Sequence, residues 1–257
     1  MDLAQVAQEC VPGWRDEGRL IRLPEDRTIV FVGDTHGDLD ATERVFATYP
    51  PSNHTLAFLG DAVDRGPDSA GNLRLILQTK LRHPEAVHLL MGNHEAWATA
   101  PFSPADFWER LDGREVERLS ESLLHLPLAA HHPAGILAAH GALPDLPALD
   151  SIEEVAIGSP AWRAITWGDL HEKEAHETSI AWGRPSFSRT TFDERANRLG
   201  LRVLVRSHQP FAPTYMFDDR CLTIFSSSAY GDGRRRVALL HPGTPLQSAR
   251  DLVLEEI

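Results

Sequence analysis

Cysteine is nearly absent from this chain. Cys10 and Cys221 are the only two among 257 residues, and no CxxC pair exists. Two cysteines cannot form a disulfide framework, so apolar packing must supply the core, and a reducing compartment suits the sequence. Positive charge is also scarce. Lys and Arg number 25 against 37 Asp and Glu, a formal net charge of −12, which argues against general attraction to nucleic acid or anionic membrane. No stretch approaches the roughly 18 apolar residues of a spanning helix, and the opening MDLAQVAQEC lacks the basic-then-apolar pattern of a secretory leader. Repeats, low-complexity tracts and linkers are missing too. These absences predict a cytoplasmic protein without nucleic-acid or membrane partners. What remains is ordinary: 42% hydrophobic and 24% charged residues, close to globular usage, over a length that suits one α/β domain.

The first ninety residues alternate strand, glycine loop and helix. RTIVFVG at 27–33, TLAFLG at 55–60 and AVHLLM at 86–91 are short apolar runs, each ending at or just before Gly. DLDATERVFAT at 38–48 has helical periodicity and an acidic start, and a second helix begins near Pro67 and runs through NLRLILQTK. This alternation predicts βαβ units, a parallel sheet, and three glycine loops at one sheet edge. Residues 94–126 read as helical, with amphipathic spacing in REVERLSESLLHL, and GILAAH at 135–140 reads as a strand. Residues 142–200 read as loops and short helices over the sheet edge. Strands at 202–206, 213–217, 221–226 and 236–240 then follow without long helices between them, which predicts a second, antiparallel or mixed sheet.

The glycine loops carry the chemistry. Asp34 and His36 in the first, two apart on a turn, can both point at one metal ion, since carboxylate oxygen and imidazole nitrogen suit manganese, iron or zinc. The second loop repeats the Gly-Asp opening with Asp61, then Asp64 and Arg65. The third offers Asn93, a neutral oxygen donor, beside His94 and Glu95. His140 and His208 each follow a strand. Taken singly, an Asp-x-His pair is usually a surface turn, Asp64–Arg65 a surface salt bridge, Glu95 a helix cap, and a strand-end histidine structural. Five strand-end loops with a metal-competent residue each make coincidence a poor explanation. Other histidines merit the bland reading. His171-Glu172…His176 spaces its histidines five apart, off a shared helical face. His88 has no evident partner, and Arg234–Arg236 reads as a solvated strand start.

The motifs GDTHG (33–37), GDAVDRG (60–66) and GNHE (92–95), followed by HGALP (140–144), VRSHQ (205–209) and LTIFSSSAYG (222–231), resemble the phosphoprotein phosphatase (PPP) family of binuclear metallophosphoesterases, in a compact bacterial-like form. The resemblance spans about residues 28 to 240. It implies one catalytic domain over 1–257, with two mixed β-sheets packed as a central sandwich flanked by helices in αββα layers. Insertions would fall at about 94–126 and 142–200. It implies that Asp34 and His36 hold a first metal, that Asp61 bridges two metals, and that Asn93, His140 and His208 hold the second. His94 matches the catalytic histidine, supported by Asp64. Arg65 matches a phosphate-gripping arginine, Arg184 in AWGRPSF (181–187) is the candidate for a second, and Tyr230 would border the cleft. The sequence departs from the family pattern at Ala142, where a second Gly is usual, and at Ser228 and Ala229, which replace Pro-Asn.

The implied activity is hydrolysis of phosphoserine or phosphothreonine in proteins, extending to phosphotyrosine, by direct attack of a hydroxide shared between two divalent ions, manganese ahead of iron or zinc. His94 would protonate the leaving oxygen. Metals and arginines in the cleft would also answer how so acidic a chain binds an anion. A phosphorylated protein is the expected partner and a monomer the expected state. A dinucleoside polyphosphate hydrolase on the same scaffold, and a non-catalytic module that reads phosphorylated partners, are the competing readings.

Overall fold

A computed structural model describes residues 2–172, 184–230 and 234–257. The chain opens with helix α1 (Leu3–Glu17) and strand β1 (Leu20–Arg22). Next come β2 (Thr28–Val32), α2 (Leu39–Thr48), β3 (His54–Phe58), α3 (Ser69–Arg82) and β4 (Val87–Leu89). Helix α4 (Gly113–Leu123), strands β5 (Ala129–His132) and β6 (Ile136–Ala139), and helix α5 (Pro160–Trp167) form the middle. The remainder is β7 (Asp169–His171), β8 (Ser186–Ser188), α6 (Arg189–Arg198), β9 (Val203–Arg206), β10 (Tyr215–Met216), β11 (Cys221–Thr223), β12 (Arg236–Leu240) and β13 (Val253–Glu256).

Two sheets form the centre. One runs β13-β12-β2-β3-β4, with β2, β3 and β4 parallel as the βαβ pattern predicts. The other is mixed and runs β1-β5-β6-β9-β11-β10. The period-two pleat explains their packing. Ile29 and Phe31 of β2 and Ala57 of β3 bury into one core cluster with Ala130, Ile136, Ala138, Val203 and Val205 of the second sheet. The alternate residues Val30, Val32, Leu56 and Phe58 join a second cluster with Leu73, Ile76 and Leu77 of α3 and Trp14 of α1. The layering is therefore helix, sheet, sheet, helix, and strands in the middle read as unbroken apolar runs because both faces are covered. Burying a Phe or Ile side chain of this kind contributes about 1.5–3 kcal/mol.

Helix starts follow local chemistry. Asp38 caps α2 by accepting from Ala41 N at 3.2 Å, and Asp68 caps α3 by accepting from Gly71 N at 2.7 Å. Each cap satisfies a first-turn amide and ends a glycine loop, so the loops are anchored where they leave the sheet.

Several elements differ from the sequence reading. Of 94–126, only 113–123 is α-helix. Residues 94–110 turn instead, with a short 3-10 stretch at Trp108–Arg110. Strand β12 does not join the second sheet. It pairs antiparallel with β2 and receives β13 on its other side. Helix α1 is not expected from the sequence because Pro12 and Gly13 interrupt its pattern, yet Leu3, Val6, Ala7, Cys10 and Trp14 form a buried stripe at helical spacing. His88 meets a partner after all, with Nδ1 2.7 Å from Glu17 Oε1.

Candidate active site

The loops that follow β2, β3, β4, β6 and β9 carry Asp34 and His36, Asp61, Asn93 and His94, His140, and His208, and the structure brings all of these side chains together, every one buried. The two sheets meet there, since Asp34 forms a parallel bridge with Phe225. Close approach constrains the loops. A Cβ on Gly92 would overlap the Asp61 carboxylate, so only glycine admits the third loop to the second. His36, Asp61, Asp64, Arg65 and His208 all adopt positive φ, between 43° and 71°. Non-glycine residues hold such conformations only where surrounding contacts enforce them, a hallmark of functional loops.

The donor atoms fall into two groups that share one carboxylate. His36, Asp61 and His94 form the first group, and Asp61, His140 and His208 the second, each with ligand atoms within 4.8 Å of one another. His36 Nε2 lies 3.5 Å from Asp34 Oδ2 and 3.8 Å from Asp61 Oδ2. His140 Nε2 lies 3.2 Å from Asp61 Oδ2, 3.1 Å from Asn93 Oδ1 and 3.0 Å from His208 Nδ1. This mixture of carboxylate, amide oxygen and imidazole fits borderline divalent cations.

A supporting layer orients the donors. Nδ1 of His36 donates to Val63 O at 2.9 Å and Nδ1 of His140 to Leu59 O at 3.0 Å, which turns both Nε2 atoms toward the shared centre. Ser207 Oγ holds Asp34 Oδ1 at 2.5 Å and also contacts Asp34 N at 2.8 Å. Glu95 accepts from Asp61 N and Ala62 N, both at 2.7 Å, and from Gly92 N at 3.0 Å. It therefore staples two glycine loops together and does not cap a helix. Asn72 on α3 ties the same region from below, donating to Thr35 Oγ1 at 2.8 Å and Ala62 O at 2.7 Å. Sequence reasoning missed Ser207 and Asn72. Ser207 sits inside VRSHQ, and that position was the available signal; Asn72, in a helical run, offered none.

Charge is balanced inside the cluster. Burial alone would push His36 down, but the hydrogen bond and charge of Asp34, with the charge of Asp61, lift it to about 9. His140 is raised against its burial by Asp61 and Asp34. Burial would raise Asp61, yet His140, His94 and His36 hold it well below the usual carboxylate range. His208 is lowered by burial and by His140, Arg184 and Arg206. Burial and the Asp61 charge lift Glu95 to about 7. Protons on imidazoles thus offset the carboxylates, a role that cations take over in a metal-loaded site.

One member of the first group, His94, also belongs to a histidine–carboxylate pair. His94 Nδ1 is 2.5 Å from Asp64 Oδ2, and Asp64 Oδ1 accepts from Phe107 N at 2.7 Å. Trp108 Nε1 donates to His94 O at 2.8 Å, and the Phe102 ring meets the His94 ring at 4.6 Å. Residues 102–108 therefore pack against the pair and shield it from water.

Arg65 and Arg184 border the cluster, and each has a buried Nε with no hydrogen-bond partner among the described residues. Arg184 Nη2 contacts Asp169 Oδ1 at 3.1 Å and His208 Nε2 at 2.5 Å. The Tyr230 ring packs 5.1 Å from the His36 ring. The substituted Ser228 anchors the segment before Tyr230 to Asp38. Its N and Oγ donate to Asp38 Oδ2 at 3.0 and 2.9 Å. Arg235 braces the same carboxylate and also pairs with Asp40, so it is a partly buried bridge rather than a freely solvated strand start. Ala142 is accommodated because residue 168 is Gly, where any Cβ would strike the Ala142 methyl. Residues 181–183 of AWGRPSF, Gly231 and His176 lie outside the described residues.

A family model described as calcineurin-like phosphoesterase matches residues 27–211. A probable serine/threonine-protein phosphatase of Encephalitozoon cuniculi is 26% identical over 223 residues, 79% of this chain and 47% of that protein. The chain thus spans about half the length of this curated relative. A solved serine/threonine phosphatase from Saccharomyces cerevisiae, described as similar to human phosphatase PP5, superposes with a TM-score of 0.83. Its identity is 25%, over 99% of this chain and 88% of that one. A structure provisionally named a diadenosine tetraphosphatase shares the fold, with a TM-score of 0.59 and 22% identity over 93% of this chain and 98% of that one.

Proposed function

Because the chain belongs to the calcineurin-like phosphoesterase family, we propose that it is a metal-dependent phosphomonoesterase acting on phosphoserine and phosphothreonine in proteins, with phosphotyrosine as a further substrate. The observation that carries this reading is Asp61, whose carboxylate is common to two donor clusters, with the His94–Asp64 pair alongside. Asp34 and His36 would hold one divalent cation, Asn93, His140 and His208 a second, and Asp61 both. Manganese is the proposed ion. Two such cations would supply Lewis acidity and an activated water.

The remaining steps belong to the chain. Arg65 and Arg184, whose buried Nε atoms have no hydrogen-bond partner among the described residues, would grip the phosphoryl oxygens and offset the acidity of the molecule. Tyr230 would wall the cleft. Asp64 holds Nδ1 of His94, so Nε2 faces the cluster, 3.8 Å from Asp61 Oδ2. From there it would hand a proton to the leaving serine or threonine oxygen. No helix among the described residues is long and apolar enough to cross a membrane. Two buried free thiols suit the reducing cytoplasm, and a monomer acting on phosphoproteins completes the proposal.

The test is a substrate panel. Chelator-stripped protein, resupplied with manganese, should hydrolyse phosphoserine and phosphothreonine peptides and nitrophenyl phosphate. Selective cleavage of diadenosine tetraphosphate would transfer the assignment to the dinucleoside polyphosphate reading. Phosphopeptide binding without turnover of any substrate would leave only a binding module.

A further inference from the structure

A trough opens beside His208. It is a cavity of about 620 Å³ whose walls include Leu170, Pro210, Phe211, Ala212, Pro213 and Met216. Arg184, whose Nη2 touches His208, also lines it, so the trough is continuous with the proposed phosphate site. Phe211 is 85% exposed at its rim. An aromatic side chain left in water next to an apolar concavity marks a contact surface.

Among the described residues the trough's walls are braced by hydrogen bonds. Gln209 accepts from Leu170 N at 2.9 Å and donates to Leu170 O at 3.2 Å, locking strand β7 to the 209–213 loop. Arg206 Nη1 braces the same Gln209 oxygen at 2.8 Å. At the other end Phe217 N donates to Glu172 Oε1 at 2.7 Å. Pro210 and Pro213 restrict the loop between these braces. A second cavity, of about 380 Å³, lies across Phe211 and is lined by Tyr230, Arg234 and Arg236. That side suits acidic groups, but Arg234 already faces Glu256 at 3.6 Å, and an acidic peptide must approach a chain of net charge −12.

We propose that the trough between β7 and the 209–213 loop seats a large aliphatic or aromatic side chain adjacent to the phosphorylated residue of a substrate peptide. The enzyme would thereby select phosphopeptides with apolar neighbours. This inference rests on the phosphoprotein phosphatase reading above.

The experiment measures kcat/KM for phosphoserine peptides that differ in one neighbouring residue, Leu, Phe, Ser, Lys or Asp, placed on either side. Manganese-loaded protein is used, and nitrophenyl phosphate is assayed in parallel. Leu or Phe should exceed Ser and Lys by about tenfold on one side of the phosphoserine, mainly through KM. Phe211→Ser, an exposed position, and Ala212→Asp, which puts a charge into the trough, should each reduce that ratio to about twofold or less. Turnover of nitrophenyl phosphate with a flat peptide series overturns the selectivity and leaves the phosphatase reading intact. A preference for Asp, or a ratio that neither substitution changes, also overturns it. Failure to hydrolyse nitrophenyl phosphate contradicts both.

Discussion

Nδ1 of His94 lies 2.5 Å from Oδ2 of Asp64, both side chains are buried, and the other Asp64 oxygen is held by Phe107 N. The imidazole is fixed in one orientation before any substrate arrives. His94→Asn should therefore keep the metal content of the protein while lowering kcat on phosphoserine peptides by about 10²–10⁴-fold. Nitrophenyl phosphate, whose leaving group needs less help from an acid, should suffer less. Wild-type activity of the variant on both substrates would remove His94 from the chemistry.

Asp61 belongs to both donor groups, so its loss should act on metal before it acts on rate. Asp61→Asn keeps the shape and an oxygen but removes the charge that offsets His36, His94 and His140. Elemental analysis should find the variant depleted of manganese after dialysis. Retention of the wild-type metal content would contradict the shared role.

Glu95 accepts three backbone amides with two oxygens. Glu95→Gln leaves one acceptor and turns an NH2 group toward buried N–H donors. An unsatisfied buried polar group of this kind costs about 1–3 kcal/mol, so thermal denaturation should show a Tm lowered by several degrees. An unchanged Tm would mean that the loops hold their positions without this staple.

How much of this was legible beforehand follows from sequence distance. Asp34, His36, Asp61, Asn93 and His94 announce themselves because each follows an apolar run ending at or near Gly, and a parallel sheet gathers such loops at one edge. His140 and His208 are legible because each follows a short apolar strand. The supports were not. Ser207 bonds to Asp34 across 173 residues of sequence, and Asn72 looks like any polar residue on a helix. Helix α1 was hidden by Pro12, since its buried stripe outweighs a local propensity penalty. The sheet that β12 joins is not legible, because a short apolar strand reads alike in either. The turns of 94–110 are not legible as turns because their anchors, such as Trp108 Nε1 to His94 O, are tertiary contacts.

The metal-free protein should show a distinctive pH response. His36 rises from 6.5 to about 9 on folding, so its contribution to stability is complete below 6.5 and is lost as pH climbs through 9. His140 is raised as well and acts with the same sign. His208, pushed low, acts with the opposite sign, but only around and below its unfolded value of 6.5. Between about pH 7.5 and 9 the Tm of chelator-treated protein should therefore fall, while manganese, which competes with those protons, should stabilise it by a margin that widens with pH. A margin that shrinks over this range would contradict the link between protons and metal.

The most direct measurement is anomalous diffraction at the manganese edge from crystals of reconstituted protein. The account predicts two peaks per chain on either side of the Asp61 carboxylate, one beside Asp34 and His36 and the other beside Asn93, His140 and His208. A single peak, or ions bound away from these six side chains, would contradict it.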